Sequence, residues 1–355
     1  MQTREEVRLH QTKPINIGLL DCLLQSKTAI TRESLALTLG LSRDRIADEL
    51  HVLTQYGCEF NEHPQHGIVM IQSGLGVWSD YLESESSVLR NVLVYGTTGS
   101  TQDICKDISN SITANPQDLD HTLVIAHHQQ NGRGRLGRKW IAPEGKTISC
   151  SMIKTINHQS DAEVINRLTL AVSVAIARTV EFFLPEKKGV TQIKWPNDVW
   201  VDGRKIAGIL VETVHANRQP TGLGYPSSSE EGLAAAIIGI GLNAGLDEGD
   251  IKSAKLDGPK YLPTSLKICG CDVDRLLVLR KLLEFVDEMI ERADDEAIMN
   301  EWRGRCLQFK QQVRLRNGTQ EIVGEVVDID PALGLIVRND RGMLTHMPAA
   351  STTVI

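Results

Sequence analysis

Apolar positions over the first 75 residues recur at three- and four-residue steps, the helical spacing. They predict one helix over Ile15 to Gln25, a second over Arg32–Leu39, and a third through Ile46, Leu50 and Leu53. Thr31 and Ser42 stand where N-caps belong, Gly40 offers the second helix a left-handed end, and Gly57 closes the third. Two short apolar-containing runs between Cys58 and Ile71, parted by Pro64 and Gly67, predict a β-ribbon. The polar stretch Gln72 to Ser87 then reads as a boundary.

Beyond it the period alternates between two and 3.6. Val92–Tyr95, Thr122–Ala126, Thr147–Ile153, Gln192–Trp195, Ile206–Thr213 and Ala235–Ile240 predict strands, and Asp202–Gly203 marks a hairpin turn. Asp161 to Leu184 predicts a long, mostly apolar helix against that sheet. Asn217 to Gly232, rich in Gly, Ser, Pro and Gln, predicts a surface insertion. One helix from Asp272 to about Trp302 aims Leu276, Leu279, Leu283, Val286 and Ile290 at the core. From Phe309 onward, short strands are separated by Asn317–Gly318, Pro331–Gly334 and Asn339–Gly342. The expected fold class is α/β (α+β). A catalytic domain with a mixed sheet at 88–308 is preceded by a winged helix-turn-helix at 1–80 and followed by a small SH3-like β-barrel at 309–355.

Composition narrows the function. A net charge of −7 argues against chain-wide affinity for nucleic acid or anionic membrane. Seven scattered cysteines include no CxxC pair, and no apolar run opens the chain or reaches membrane-spanning length, so a cytoplasmic protein with reduced thiols is expected.

Against that acidic background stands one cationic cluster. Arg133, Arg135, Arg138 and Lys139 fall within seven residues and alternate with Gly132, Gly134 and Gly137. Glycines let backbone N–H groups approach a ligand, and arginine forks suit phosphate or carboxylate oxygens. Gly132-x-Gly134-x-x-Gly137 fits the dinucleotide fingerprint literally. That site needs a helix directly afterwards, and Lys139-Trp140-Ile141-Ala142-Pro143 leads into a strand instead. A second anion-suited element, Lys194-Trp195-Pro196-Asn197-Asp198, ends another predicted strand. Two such elements at strand ends of one α/β domain describe a nucleotide-type crevice.

These blocks are recognisable. Gly132–Trp140 (GRGRLGRKW), Lys194–Asp198 (KWPND) and Lys205–Glu212 (KIAGILVE), with Gly99–Gln102 and Ile238–Asn243, resemble the signature blocks of biotin protein ligases, in order and spacing. The resemblance covers about residues 90 to 250 and implies formation of biotinyl-5′-AMP from biotin and ATP with Mg2+. Biotin then passes to a lysine of a biotin carboxyl carrier protein. It implies biotin and adenylate contacts at Ser100, Thr101, Gln102, Gln129, Gly132, Arg133, Gly134, Arg135, Trp140, Lys194, Asn197 and Gly208. Lys194 would stabilise the adenylation transition state, and Arg135 would retain the intermediate. The metal ligands stay unassigned, with Asp198 the weaker of two readings beside a turn-stabilising role. Leu136 departs from relatives that carry a basic residue there.

The N-terminal segment resembles the winged-helix domain of the bifunctional members, which repress biotin-synthesis genes and form homodimers when adenylate-bound. Ser42, Arg43 and Arg45 are its DNA-facing candidates. Residues 1–85 hold seven basic against twelve acidic side chains, so three roles stay open: operator binding, an inert module, or support of dimerisation. Two other functions compete with the ligase: a biotin-sensing regulator without catalysis, and a lipoate- or octanoate-type ligase.

Overall fold

The computed structural model describes residues 13–63, 65–110, 119–156, 161–215, 234–253, 262–293 and 295–355. The expected insertion at 217–232, like Pro64 of the expected wing, lies outside them.

Three helices and a hairpin open the chain: α1 (Ile17–Gln25), α2 (Arg32–Leu39), α3 (Arg43–Gln55), β1 (Glu59–His63) and β2 (Gly67–Gln72). The caps are those expected. Thr31 accepts from Ser34 N–H at 3.1 Å, Ser42 from Arg45 N–H at 3.1 Å, and Gly40 is left-handed at φ 66°.

Two expectations are corrected here. The stretch 72–87 is not merely a polar boundary, because it contains helix α4 (Trp78–Glu85) with Trp78, Tyr81 and Leu82 buried. Those three large residues stand at i, i+3 and i+4, an apolar stripe hidden among Ser and Glu. The C-terminal helix is two helices, α8 (Arg275–Glu291) and α9 (Glu296–Arg305), with Asp295 in extended conformation as the N-cap position of the second. Leu276, Leu279, Leu283 and Val286 are buried, as the stripe required.

The central sheet holds seven strands: β3 (Asn91–Thr98), β4 (Thr122–Gln129), β5 (Thr147–Ile156), β6 (Gln192–Lys194), β7 (Asp198–Val201), β8 (Arg204–His215) and β9 (Ala234–Asn243). Their order is β3-β4-β5-β9-β8-β7-β6, parallel at β3–β4 and antiparallel elsewhere, hence a mixed sheet. Alternation divides its two faces. Ile148, Cys150, Met152, Ile238, Ile240 and Leu242 face the core built with α6 (Asp161–Phe183) and α8. Tyr95, Val124, Ile153, Ala235 and Ile237 pack on the other side with Ile104 and Cys105 of α5 (Thr101–Asn110). A short helix, α7 (Glu248–Ser253), follows β9.

The last segment is a five-stranded antiparallel sheet of β10 (Gln312–Asn317), β11 (Gln320–Asp330), β12 (Gly334–Arg338), β13 (Leu344–Met347) and β14 (Thr352–Val354). Asn166 of α6 holds it by donating to Ala332 C=O at 2.6 Å and accepting from Ala349 N–H at 2.9 Å. No described helix is long and apolar enough to cross a membrane. All seven cysteines are free thiols.

Candidate functional site

On the α5 face of β9 the apolar residues stop at Ile237, and the next two positions on that face are Gly239 and Gly241. β8 supplies Gly208 in register with Gly241. The loss of three side chains opens a cleft, lined among others by Ser100, Thr101, Gln102, Gln129, Ser151 and Trp140. The glycines are sterically demanded. A Cβ on Gly239 would meet Gln102 Oε1 at 2.6 Å, and one on Gly241 would meet the Trp140 ring at 2.4 Å.

The polar end of the cleft is a closed hydrogen-bond network. Thr101 N–H and Oγ1 donate to Gln129 Oε1 at 2.9 and 3.2 Å, and Thr101 Oγ1 meets Ser151 Oγ at 2.7 Å. Ser151 Oγ donates to Gln102 Oε1 at 2.9 Å, and Gln102 Nε2 donates to the carbonyls of Leu210 and Ile237. Ser100, Thr101 and Gln102 are all buried. Buried amides and hydroxyls fixed in this way can exchange partners with the N–H and C=O groups of a small polar ring.

The cationic loop folds back on itself. Trp140 N–H donates to Gly132 C=O at 2.9 Å, Gly134 N–H donates to Arg138 C=O at 2.7 Å, and a Cβ on Gly132 would strike Trp140 C=O at 2.5 Å. Leu136 turns the tip at φ 55°. Arg133 lines the cleft and pairs with Asp103 at 2.6 Å. Trp140 lies across the cleft with its indole N–H buried and unpartnered among the described residues.

Beyond Trp140 lies a second hollow, of about 170 Å³, bordered by Lys139, Ile141, Asn243, Ile251 and Pro263. Lys205 and Trp140 line both. Lys205 Nζ sits 2.6 Å from Asp198 and 5.5 Å from the Trp140 ring centroid. It was missed in the sequence, although it opens the KIAGILVE block three residues before Gly208.

The remaining candidates divide. Gln129, Gly134, Asn197 and Gly208 line the cleft, and Asn197 Nδ2 donates to Ile209 C=O at 2.9 Å. Lys194 does not line it; its ammonium lies 4.7 Å over the Trp200 ring, and its register partner is Asp198. Arg135 also points elsewhere, donating to the carbonyls of Ala349 and, at 3.0 Å, Thr352. Burial there lowers its pKa to about 10. Of the DNA-facing candidates, the Ser42 hydroxyl accepts from Arg45 N–H as the helix cap, while Arg43 pairs with Glu33 at 2.8 Å and Arg45 with Glu49 at 2.7 Å.

Residues 98–223, which carry the cleft, match the biotin/lipoate A/B protein ligase family. Two relatives narrow it. The chain is 26% identical over 328 residues to the bifunctional ligase/repressor BirA of Bacillus subtilis (strain 168), covering 88% of this chain and 90% of that protein. It is 29% identical over 254 residues to the biotin–[acetyl-CoA-carboxylase] ligase of Mycobacterium tuberculosis, covering 71% and 84%. The fold is shared with the biotin protein ligase from Aquifex aeolicus in complex with biotin and ATP, at TM-score 0.53 and 22% identity, over 75% of this chain and 99% of that one. Over most of its length the chain is thus similar to biotin protein ligases.

Proposed function

We propose that the chain is a biotin protein ligase, forming biotinyl-5′-AMP from biotin and ATP and passing biotin to a specific lysine of a biotin carboxyl carrier protein. The observation that carries this is the pair of adjoining hollows, one floored by glycine and ringed by amides, the other flanked by cations, with Lys205 lining both. Ser100, Thr101, Gln102 and Gln129 receive the biotin ring, whose buried C=O and N–H groups need partners. The biotin carboxylate attacks the α-phosphorus of ATP and pyrophosphate leaves. An acceptor lysine amine then attacks the acyl carbon and AMP leaves. Lys205 takes the charge-stabilising role expected of Lys194, because its ammonium faces the boundary where carboxylate and phosphate meet. Lys194, two strands from Lys205 and in register with Asp198 between them, supports it through that carboxylate. Trp140 and the arginine loop exclude water from the anhydride, and Arg135 exchanges its carbonyl partners for the adenylate when it forms.

Mg2+ enters with ATP. Among the described residues no three His, Cys, Asp or Glu side chains gather as a metal site, and Asp198 is engaged by Lys205.

The three-domain division, a winged helix at 1–80, the ligase domain at 88–308 and an SH3-like barrel at 309–355, belongs to this reading, as does a cytoplasmic location. Repression rests on the likeness to the ligase/repressors. The ion-paired Arg43 and Arg45 make DNA binding the weaker part, and homodimerisation would use an outer strand such as β3.

The test is transfer. With biotin and ATP, a purified carrier domain gains one biotinyl group at a single lysine by mass spectrometry. No gain with biotin, or an equal gain with lipoate, overturns the reading.

A further inference from the structure

Between α4 and the central sheet, the N-cap and the first residue of α8 reach in opposite directions. Asp274 accepts from Ser73 N–H at 2.6 Å and from Ser73 Oγ at 2.7 Å, while Ser73 Oγ accepts from the Trp78 indole N–H at 3.1 Å. Arg275 lies 5.2 Å from the Trp78 ring centroid, donates to Thr147 C=O at 3.1 Å and meets His127 Nδ1 at 2.9 Å.

The sheet side of this clasp falls where two strands part. The β4–β5 ladder ends at Ala126↔Ser149. Past that pair, His127, one residue beyond Ala126, and Thr147, two residues beyond Ser149, are joined by the guanidinium instead. Two residues further along β4 is Gln129, the amide that orders Thr101 in the cleft. Gly145, left-handed at φ 69°, lets the His127 ring pack on its backbone, where a Cβ would meet the ring at 3.3 Å.

A guanidinium donates and never accepts, so the His127 Nδ1 beside it must carry a lone pair. The ring is thereby fixed as the neutral tautomer protonated on Nε2, which lies 3.8 Å from Glu144 Oε1. The charged or titratable groups facing this ring are Arg275 from α8, Glu144 from the loop before β5, and His128 on β4. Burial first, and then the Arg275 charge, hold His127 below its ordinary value.

We propose that Arg275 is a positioning residue for the biotin cleft, acting through neutral His127 to hold the divergent ends of β4 and β5, and hence Gln129, in binding geometry. Protonated His127 cannot accept from the guanidinium, so the hold is released in acid. The proposal rests on the cleft binding biotin.

Two measurements on the full chain test it. Nitrogen-15 NMR of the histidine rings reads the His127 tautomer without any ligand. The Nε2–H form is expected near neutral pH, and the Nδ1–H form overturns the proposal. Biotin titration calorimetry at about pH 7.5 and about pH 5 reads the consequence. The wild type loses about tenfold in affinity in acid beyond the loss shown by His127→Gln, which accepts from Arg275 but does not titrate. Arg275→Gln is weaker by about tenfold already at neutral pH and loses less in acid. Equal acid losses in wild type and His127→Gln, or undiminished neutral-pH affinity in Arg275→Gln, overturn the proposal. A wild type that binds no biotin while keeping the Nε2–H tautomer instead removes the ligase reading and leaves the Arg275–His127 pair standing.

Discussion

The Trp140 indole lies directly on the backbone of Gly241, so closely that a Cβ there would stand 2.4 Å from the ring. This contact joins the cationic loop to the floor of the cleft, and it makes glycine a steric requirement. Gly241→Ala should displace Trp140, lower biotin-dependent kcat/KM by at least about tenfold, and lower the thermal midpoint only as far as an overpacked contact of about 1–3 kcal/mol allows. Steady-state kinetics beside a melting curve checks this. Unaltered kcat/KM would show that Trp140 does not set the geometry of the cleft.

Lys205 borders both hollows and Lys194 borders neither. Lys205→Ala is expected to reduce adenylation by about 100-fold or more, the usual scale for losing one aligned transition-state partner, and Lys194→Ala by less than about tenfold. Single-turnover adenylate formation measures both. The reverse ranking would return the principal role to Lys194.

On α3 the Glu49 carboxylate is 7% exposed and its ion-pair partner Arg45 is 60% exposed. Arg45→Ala leaves that carboxylate nearly buried and unpaired, and should cost about 1 kcal/mol in urea denaturation. The same variant judges the repressor reading. If Arg45 touches a DNA phosphate, the salt slope of binding to the cognate operator falls by about one. If not, stability alone changes.

Asp287 of α8 is raised to about 6, by burial first, with Glu291 adding to the rise and His121 and Lys154 opposing it. Between its unfolded value near 4 and about 6, the folded chain holds a proton that the unfolded chain has lost. This group therefore lowers stability as pH rises through that window, and its cost is constant above it. Asp287→Asn removes the cost. It should stabilise the chain by about 1–2 kcal/mol near pH 8 and make little difference near pH 4. Denaturant midpoints at the two values check it, and equal shifts at both would contradict the burial argument.

Local signals were legible in the chain itself. Thr31, Ser42 and Gly40 occupy their predicted caps, and Asp202–Gly203 turns the β7–β8 hairpin. Each such feature depends on neighbours within four residues. The buried helix at Trp78 was obscured because glycines and serines surround three informative positions. The direction of Arg135 was not readable, since its partners lie 214 and 217 residues away and are backbone carbonyls without side-chain identity. Lys205 was visible only within a motif. What set it apart from Lys194 was the β6-β7-β8 register, which places Asp198 opposite both Lys194 and Gly208.

The most direct measurement of the central claim is pyrophosphate release from ATP, with biotin, with lipoate and with neither, in wild type and Lys205→Ala. Release that requires biotin, is not supported by lipoate and is crippled in Lys205→Ala is the predicted result. Biotin binding without biotin-dependent release would contradict the account and leave a biotin sensor in place of a ligase.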